Sequence, residues 1–472
     1  MFLYRQTCRI IFHRNINQSR IIFHRNINQS RIIFHRNINQ SRIIFHRNIN
    51  QSRINFFNKV NLYNKVNLYN LNHVRFISTK ISDSILNENP SLNENPIYLV
   101  DVCNIIKQYK KWMLYFPNIK PYYAIKCNPD PVILTIMADL GASFDCASEP
   151  EIKQIIDITK DPSKIIFANP CKMSSHIKYA QLNNVNMMTF DCDDELYKIK
   201  KNHSKAKLIM RLTVDESNSV CKFNSKFGCD LDSVGYLIDK IISLKLNLVG
   251  FSFHVGSNCK SVDNYKNAIK TCRMAYNIAA AKGMYASVID IGGGFPGVDS
   301  DIININSISK VVNAASIEYF GNEIQNGQIK FIAEPGRYFV EQSHTLILTV
   351  IGKKQCIING ENAFTYYLND GLYGSFNCIY FDHRIPILET HESYYKIKSK
   401  DSKKILYNSK FFGPTCDSID LIACDIYMPE LLTGDRLYIR NFGAYTSAAG
   451  SQFNGFNKTT TKYLMQSDIL TL

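Results

Sequence analysis

Eight short apolar runs in this chain each end on a residue able to do chemistry or to bend sharply. The ends are Lys126 in "PYYAIKCNPD", Asp145 in "ASFDCAS", Asn169 in "KIIFANP", Asp191 in "NMMTFDC", Arg211 in "LIMRLT", His254 in "LVGFSFHVGS", Gly292 in "SVIDIGGG" and Glu334 in "KFIAEPGR". An ammonium ion is costly to bury without a partner. Lys126 is therefore either the point where a strand meets water or a lysine whose lowered pKa lets it hold a carbonyl group as a Schiff base. "DIGGGFPG" sets Gly292, Gly293 and Gly294 directly after a strand. Bare backbone N–H groups there can cradle a phosphate, or the run can simply be a tight turn. "AEPGR" adds Pro335, Gly336 and Arg337, and a guanidinium suits phosphate well. Glu334 in that motif either pairs with Arg337 or holds a protonated ring nitrogen. His254 shares its strand face with Ser252 and Gly256, opposite Phe251, Phe253 and Val255. It is either a satisfied structural histidine or a ring stacked on a flat group, with Ser257 as a phosphate donor.

The elements that must position these residues follow from the spacing. Intervals of roughly 20 to 44 residues leave room for a helix between successive runs, and "EPEIKQIIDI" and "NYKNAIKTCRMAYNIAAAKG" carry helical periodicity. Eight β-α units predict a (β/α)8 TIM-like barrel, whose chemistry lies at the C-terminal ends of its strands. After residue 343 the pattern becomes strands and turns, in "TLILTVIGKK", "NAFTYYLND", "SKFFGPTCD" and "DRLYIRNFGAY". That predicts a C-terminal β-rich domain. The expected organisation is a basic, repeat-rich, disordered low-complexity leader over 1–82, and a linker and strand over 83–101 whose "IYLVDV" could pair with the C-terminal domain. A barrel over 102–343 and the β-rich domain over 344–472 complete it.

The net charge of +15 belongs to the leader. Of the 55 Lys and Arg, fourteen lie in residues 1–82, which hold no acid; the remainder sets 41 basic against 40 acidic residues. A neutral body argues against a nucleic-acid-binding surface. "RIIFHRNINQS" occurs four times in tandem from Arg9 to Ser52, without a clean apolar stripe at helical angles. An acid-free, Arg-rich N terminus has the composition of an organelle transit peptide, and "VRFIS" resembles a mitochondrial processing site. Mitochondrial import and an untargeted extension on a cytoplasmic enzyme both stay open. The 14 cysteines show no metal-ligand spacing, so no metal is expected, and no apolar run is long enough to span a membrane.

Taken in order, the strand-end lysine, the "HVGS" histidine, the triple glycine and "EPGR" resemble the PLP-dependent Orn/Lys/Arg decarboxylases of the alanine-racemase-like fold. The likeness runs from about residue 97 to the C terminus. It is closest to the eukaryotic ornithine decarboxylases at "NDGLYGSFNC", "FGPTCDSIDLI" and "GAYTSAAGSQFNGF". The resemblance implies that Lys126 forms a Schiff base with pyridoxal 5'-phosphate, that His254 stacks on the cofactor and that Glu334 holds its ring nitrogen protonated. It places Ser257, Gly292, Gly293, Gly294, Pro335, Gly336, Arg337 and Tyr445 around the cofactor and its phosphate. Asp145, Glu151 and Arg211 fall at charged active-site positions. Cys416 corresponds to the proton donor, while Asp382 and Asp417 correspond to the acceptors of the distal ammonium of L-ornithine. Phe381 stands where the family usually has Tyr, which removes one hydroxyl. The resemblance further implies a homodimer with shared sites, in which Cys416 and Asp417 complete the partner's site and Lys226 and Asp420 form an interfacial salt bridge. The implied activity is conversion of L-ornithine to putrescine and carbon dioxide, the entry to polyamine synthesis. Lysine or arginine decarboxylation, a non-catalytic antizyme-inhibitor-like regulator and an antizyme-like partner remain alternatives or additions.

Overall fold

The computed structural model describes residues 10–15, 18–23, 32–37, 40–44, 76–77, 94–358, 360–390 and 405–465. In the leader, the strands Ile10–Asn15, Gln18–Phe23, Ile32–Asn37 and Gln40–Ile44 pair in sequence as an antiparallel sheet. The expected disorder of the leader otherwise falls outside the described residues.

The eight runs form a closed parallel barrel. Its strands are β2 (Ile119–Ala124), β3 (Ser143–Cys146), β4 (Ile165–Phe167), β5 (Met187–Phe190), β6 (Lys207–Arg211), β7 (Asn247–Ser252), β8 (Val288–Asp290) and β9 (Lys330–Ala333). β9 closes on β2, with Phe331 opposite Ile119 and Ala333 opposite Pro121. Side chains two apart share a strand face. Tyr122, Ile166, Ile209 and Ile332 pack together inside the barrel. Arg211 and Glu334 stand two residues beyond Ile209 and Ile332, on the same inward face but one layer nearer the C-terminal mouth. Asp145 and Asp290 follow Ser143 and Val288 in the same way. One alternation thus builds both an apolar floor and a charged ceiling.

The β-rich domain is an antiparallel-dominated sheet built on a long strand, β10 (His344–Ile358), which pairs with β11 (Glu361–Leu368) and β14 (Arg436–Ile439). β12 (Tyr407–Phe412) and β13 (Leu421–Met428) extend it. The strand before the barrel, β1 (Ile97–Asp101), lies in this sheet, between β10 and the last strand, β15 (Thr460–Leu464). Asp101 then caps the helix Val102–Tyr115 by accepting the Asn104 N–H at 3.2 Å, so the chain turns from sheet into barrel at one residue.

Candidate active site

At the mouth, Lys126 follows β2 in a single 3-10 turn, Ile125–Cys127, rather than continuing the strand. Its ammonium donates to Asp145 at the end of β3. Burial alone pulls the Lys126 pKa down, but Asp145, Glu334 and Tyr445 overcome it and raise the pKa above that of an ordinary lysine. The expected lowering is thus reversed in this structure. The side chain is 45% exposed, so the amine stays reachable from the cleft, whereas Asp145 is 1% exposed. Glu151 turns back from the next helix to accept the Ala147 N–H at 2.6 Å, and burial raises its pKa.

Across the mouth, β7 ends at Ser252 and His254 lies in the loop beyond it. Phe251, Phe253 and Val255 are buried on the other side. His254 Nδ1 accepts the Gly256 N–H at 2.9 Å. Burial, then the charges of Arg211 and Lys126, lower its pKa well below the usual histidine range, leaving a neutral ring. The glycine loop after β8 reaches this ring. Gly292 has φ +61°, and a Cβ there would lie 2.0 Å from the Phe253 carbonyl oxygen; a Cβ on Gly293 would lie 2.7 Å from His254 Nε2. Gly294 sits against the Gly256 carbonyl and Gly336 against Cys127. Pro335 O accepts the Ala124 N–H at 3.3 Å, tying the "EPGR" turn to the lysine-bearing strand.

Two carboxyls lie beneath the lysine. Asp290, fully buried on β8, and Glu334, half-buried just after β9, lie side by side, and sequence reading missed Asp290. Burial raises both, Asp290 to about 7 and Glu334 well above an ordinary glutamate. Asp290 Oδ1 accepts the Gly292 N–H at 2.9 Å. Opposite, the buried Arg337 bonds Ser257 Oγ at 3.2 Å and Asp382 Oδ1 at 2.5 Å, with Glu341 3.6 Å away. Burial opposes its charge, but Glu341 and Asp382 hold the guanidinium protonated. Tyr445 comes from the β-rich domain, places its ring 5.2 Å from this guanidinium and donates its N–H to Cys127 O at 2.9 Å. It does so at φ +56°, a conformation costing on the order of 1 kcal/mol for a side-chain-bearing residue. Arg211 packs on Phe227 at 5.0 Å; burial lowers its pKa against the pull of Glu334 and Glu216.

The remaining expected residues lie as follows within one chain. Asp382 is buried against Arg337, at the end of the site proposed to hold phosphate, and does not meet Asp417 within the chain. Burial raises the Asp382 pKa against the pull of Arg337. Phe381, expected at the substrate, is 71% exposed at the end of the short helix Cys378–Phe381. Asp420 is fully buried and accepts from Leu372 N (2.6 Å), Thr415 N (3.1 Å) and Thr415 Oγ1 (2.7 Å). Within one chain these bonds shape the loop that carries Asp420, and Lys226 is exposed beside Phe227. Cys416 is exposed, and its N–H donates to Asn454 Oδ1 at 3.0 Å. Asp417 accepts the Tyr373 hydroxyl at 2.5 Å, and Tyr373 stacks on Phe453 at 4.2 Å. Tyr373 and Phe453, not singled out from the sequence, build the platform on which Asp417 stands. Among the described residues, no hydrogen bond or ion pair links Cys416 or Asp417 to the barrel mouth.

A flat, phosphorylated, carbonyl-bearing cofactor fits this mouth. It offers an amine for the carbonyl, a carboxyl pair for a ring nitrogen, a neutral imidazole for a ring face, and arginine, serine and glycine backbone for a phosphate. Asp145 Oδ1, Ser252 Oγ, Glu334 Oε1 and Arg337 Nε are buried around it without a hydrogen-bond partner among the described residues. Fold and site together define a pyridoxal-phosphate enzyme built on a barrel and a β domain.

Comparison with known proteins agrees. Residues 102–341 match the family described as pyridoxal-dependent decarboxylase, pyridoxal binding domain, and the chain belongs to that family. The probable ornithine decarboxylase of Dictyostelium discoideum is 42% identical over 378 residues, spanning 77% of this chain and 78% of that protein. Antizyme inhibitor 2 of Xenopus laevis is 38% identical over 399 residues, spanning 83% and 86%. The structure of a lysine/ornithine decarboxylase complexed with putrescine from Vibrio vulnificus superposes with a TM-score of 0.71 at 30% identity, covering 82% of this chain and 99% of that one. The protein is a PLP-dependent amino-acid decarboxylase.

Proposed function

We propose that the protein converts L-ornithine to putrescine and carbon dioxide, the entry step of polyamine synthesis. The supporting observation is a division between two surfaces. The residues suited to the cofactor converge at the barrel mouth, whereas Cys416 stands exposed and Asp417 half-exposed on the β-rich domain, with no hydrogen bond or ion pair to that mouth among the described residues. A second copy related by a two-fold axis would bring them together. Asp417 on its Tyr373–Phe453 platform suits the ammonium at the end of a diamino acid. The exposed Phe381, Ile385 and Ile387 on the same domain suit burial against that copy.

In this reading Lys126 Nζ holds the cofactor covalently and Asp145 keeps that amine oriented. Glu334, backed by Asp290, keeps a proton at the ring nitrogen. Arg337, Ser257, Tyr445 and the glycine loop hold the phosphate, and His254 covers one ring face. Bound pyridoxal phosphate supplies the electron sink for the pair left when carbon dioxide departs. Cys416 of the other subunit donates a proton to the substrate α-carbon, and Asp417 holds the distal cation.

The test is carbon dioxide release by the full chain with ornithine, lysine, arginine or diaminopimelate. Preference for ornithine is expected; preference for another amino acid would overturn the substrate assignment. The likeness to antizyme inhibitor 2 favours a second, regulatory reading, against which stands the presence of Lys126, Asp145, His254, Glu334, Arg337, Cys416 and Asp417. Absence of turnover and of cofactor absorbance in a folded dimer would establish that reading instead. Catalysis is assigned to the cytoplasm, and recovery of activity with mitochondria on fractionation would reassign it.

A further inference from the structure

The loop between β6 and the helix Leu231–Ser243 crosses the mouth beside His254, and its construction is unusual. Glu216 is only 4% exposed, and its Oε2 accepts two successive backbone N–H groups, from Phe223 at 2.7 Å and Asn224 at 2.9 Å. Two N–H donors on one carboxylate oxygen fix the backbone at those residues. The loop is also stitched to the segment that carries His254. Ser219 Oγ donates to Val255 O at 2.5 Å, and the strands Ser219–Cys221 and Ser257–Cys259 pair antiparallel. The result is that the Phe223 ring stands edge-to-face with the His254 imidazole, centroids 5.0 Å apart at 82°. Phe227, four residues on, packs in the same loop against Arg211.

His254 therefore meets three fixed groups: the Gly256 N–H at Nδ1, the Gly293 backbone near Nε2, and the Phe223 ring. The first two restrain the ring at its nitrogens. Phe223 is the contact that resists rotation about the side-chain bond. We propose that Phe223, anchored by Glu216, is a positioning residue that sets the plane of His254 against the cofactor ring. This inference rests on the reading that His254 lies on that ring.

The test is made on the full-length holoenzyme with Phe223→Ala, Phe223→Leu, Phe223→Tyr and His254→Ala. Cofactor affinity is measured by fluorescence titration, cofactor geometry by the visible circular dichroism of the bound chromophore, and fold by thermal melting. Phe223→Ala and Phe223→Leu are expected to weaken cofactor retention roughly three- to tenfold, the worth of one edge-to-face contact, and to reduce the visible band. Phe223→Tyr, which keeps the ring edge, should restore both. A purely structural phenylalanine would change melting without changing the band per bound cofactor. Unaltered affinity and band in both Phe223→Ala and Phe223→Leu, with His254→Ala altering them, would overturn the clamp alone. An unaltered band in His254→Ala would instead overturn the placement of His254 on the ring.

Discussion

His344 offers a quantitative test of how the β-rich domain is fastened to the site. It is 4% exposed at the start of β10. Its Nε2 accepts from the Asn128 side-chain amide at 3.1 Å, and Nδ1 faces Ser343 Oγ at 2.8 Å. The same Asn128 amide donates to Gly443 O at 3.0 Å, so one neutral imidazole organises both the turn after Lys126 and the approach to Tyr445. Burial lowers its pKa from 6.5 to about 4. The folded protein thus binds fewer protons than the unfolded chain between those values. Its contribution to stability is complete above pH 6.5 and is lost progressively as pH falls toward 4. Each tenfold step in proton activity is worth about 1.36 kcal/mol, so His344 alone removes about 3 kcal/mol across that window. Asp290, raised to about 7, acts with the opposite sign in the cofactor-free protein, because its folded state holds a proton that the unfolded state releases. A single pH profile mixes the two, so the measurement is a difference. Urea unfolding of wild type and His344→Gln from pH 7 to 4 should show the wild type losing about 3 kcal/mol more than the variant. Parallel profiles would refute the argument that this imidazole is held neutral.

Other perturbations separate the remaining roles. Lys126→Ala and Cys416→Ala should each be nearly inactive alone. If the sites are shared, random reassociation of the two should restore about a quarter of wild-type turnover, since half the dimers then carry one intact site; a mixture no better than its parts would place both residues in one chain's site. Arg337→Lys keeps the charge but loses the planar fork whose Nη2 reaches Ser257 and Asp382 while Nη1 faces Glu341, and should weaken cofactor binding about tenfold by fluorescence titration. Gly292→Ala combines a positive φ with a clash against a carbonyl, and should cost well over about 1 kcal/mol in thermal or urea unfolding.

The barrel was legible because each strand carries its own signal: a short apolar run, a polar end and a helix-length gap. The inward layer was legible for the same reason, since period two links Ile209 to Arg211 and Ile332 to Glu334. The β-rich domain was less so. β13, "LIACDIYM", is a half-exposed edge strand whose polar interruptions blur its alternation, and β15 gains its place only by lying beside β1. Asp290 escaped notice because its meaning depends on Glu334, forty-four positions away and adjacent only once β8 and β9 pair. The depths of Asp420 and Phe381 were not legible, because a motif reports a neighbourhood, not a depth. Within "CDSID" one aspartate is half-exposed and the other fully buried, and no local pattern separates them. Phe223 was invisible for a similar reason: its partner His254 comes from the next strand-loop unit.

The position of β1 has a consequence for biosynthesis. It emerges from the ribosome before any barrel strand, yet both of its neighbours in the sheet, β10 and β15, emerge after the last one. A nascent chain can close its barrel while β1 still lacks a partner on either edge. His344, Gly443 and Tyr445, which fasten the turn around Lys126, likewise follow the last barrel strand in the chain. The amine of Lys126 is thus made early, and its contacts to the β-rich domain are completed only after every barrel strand has been made.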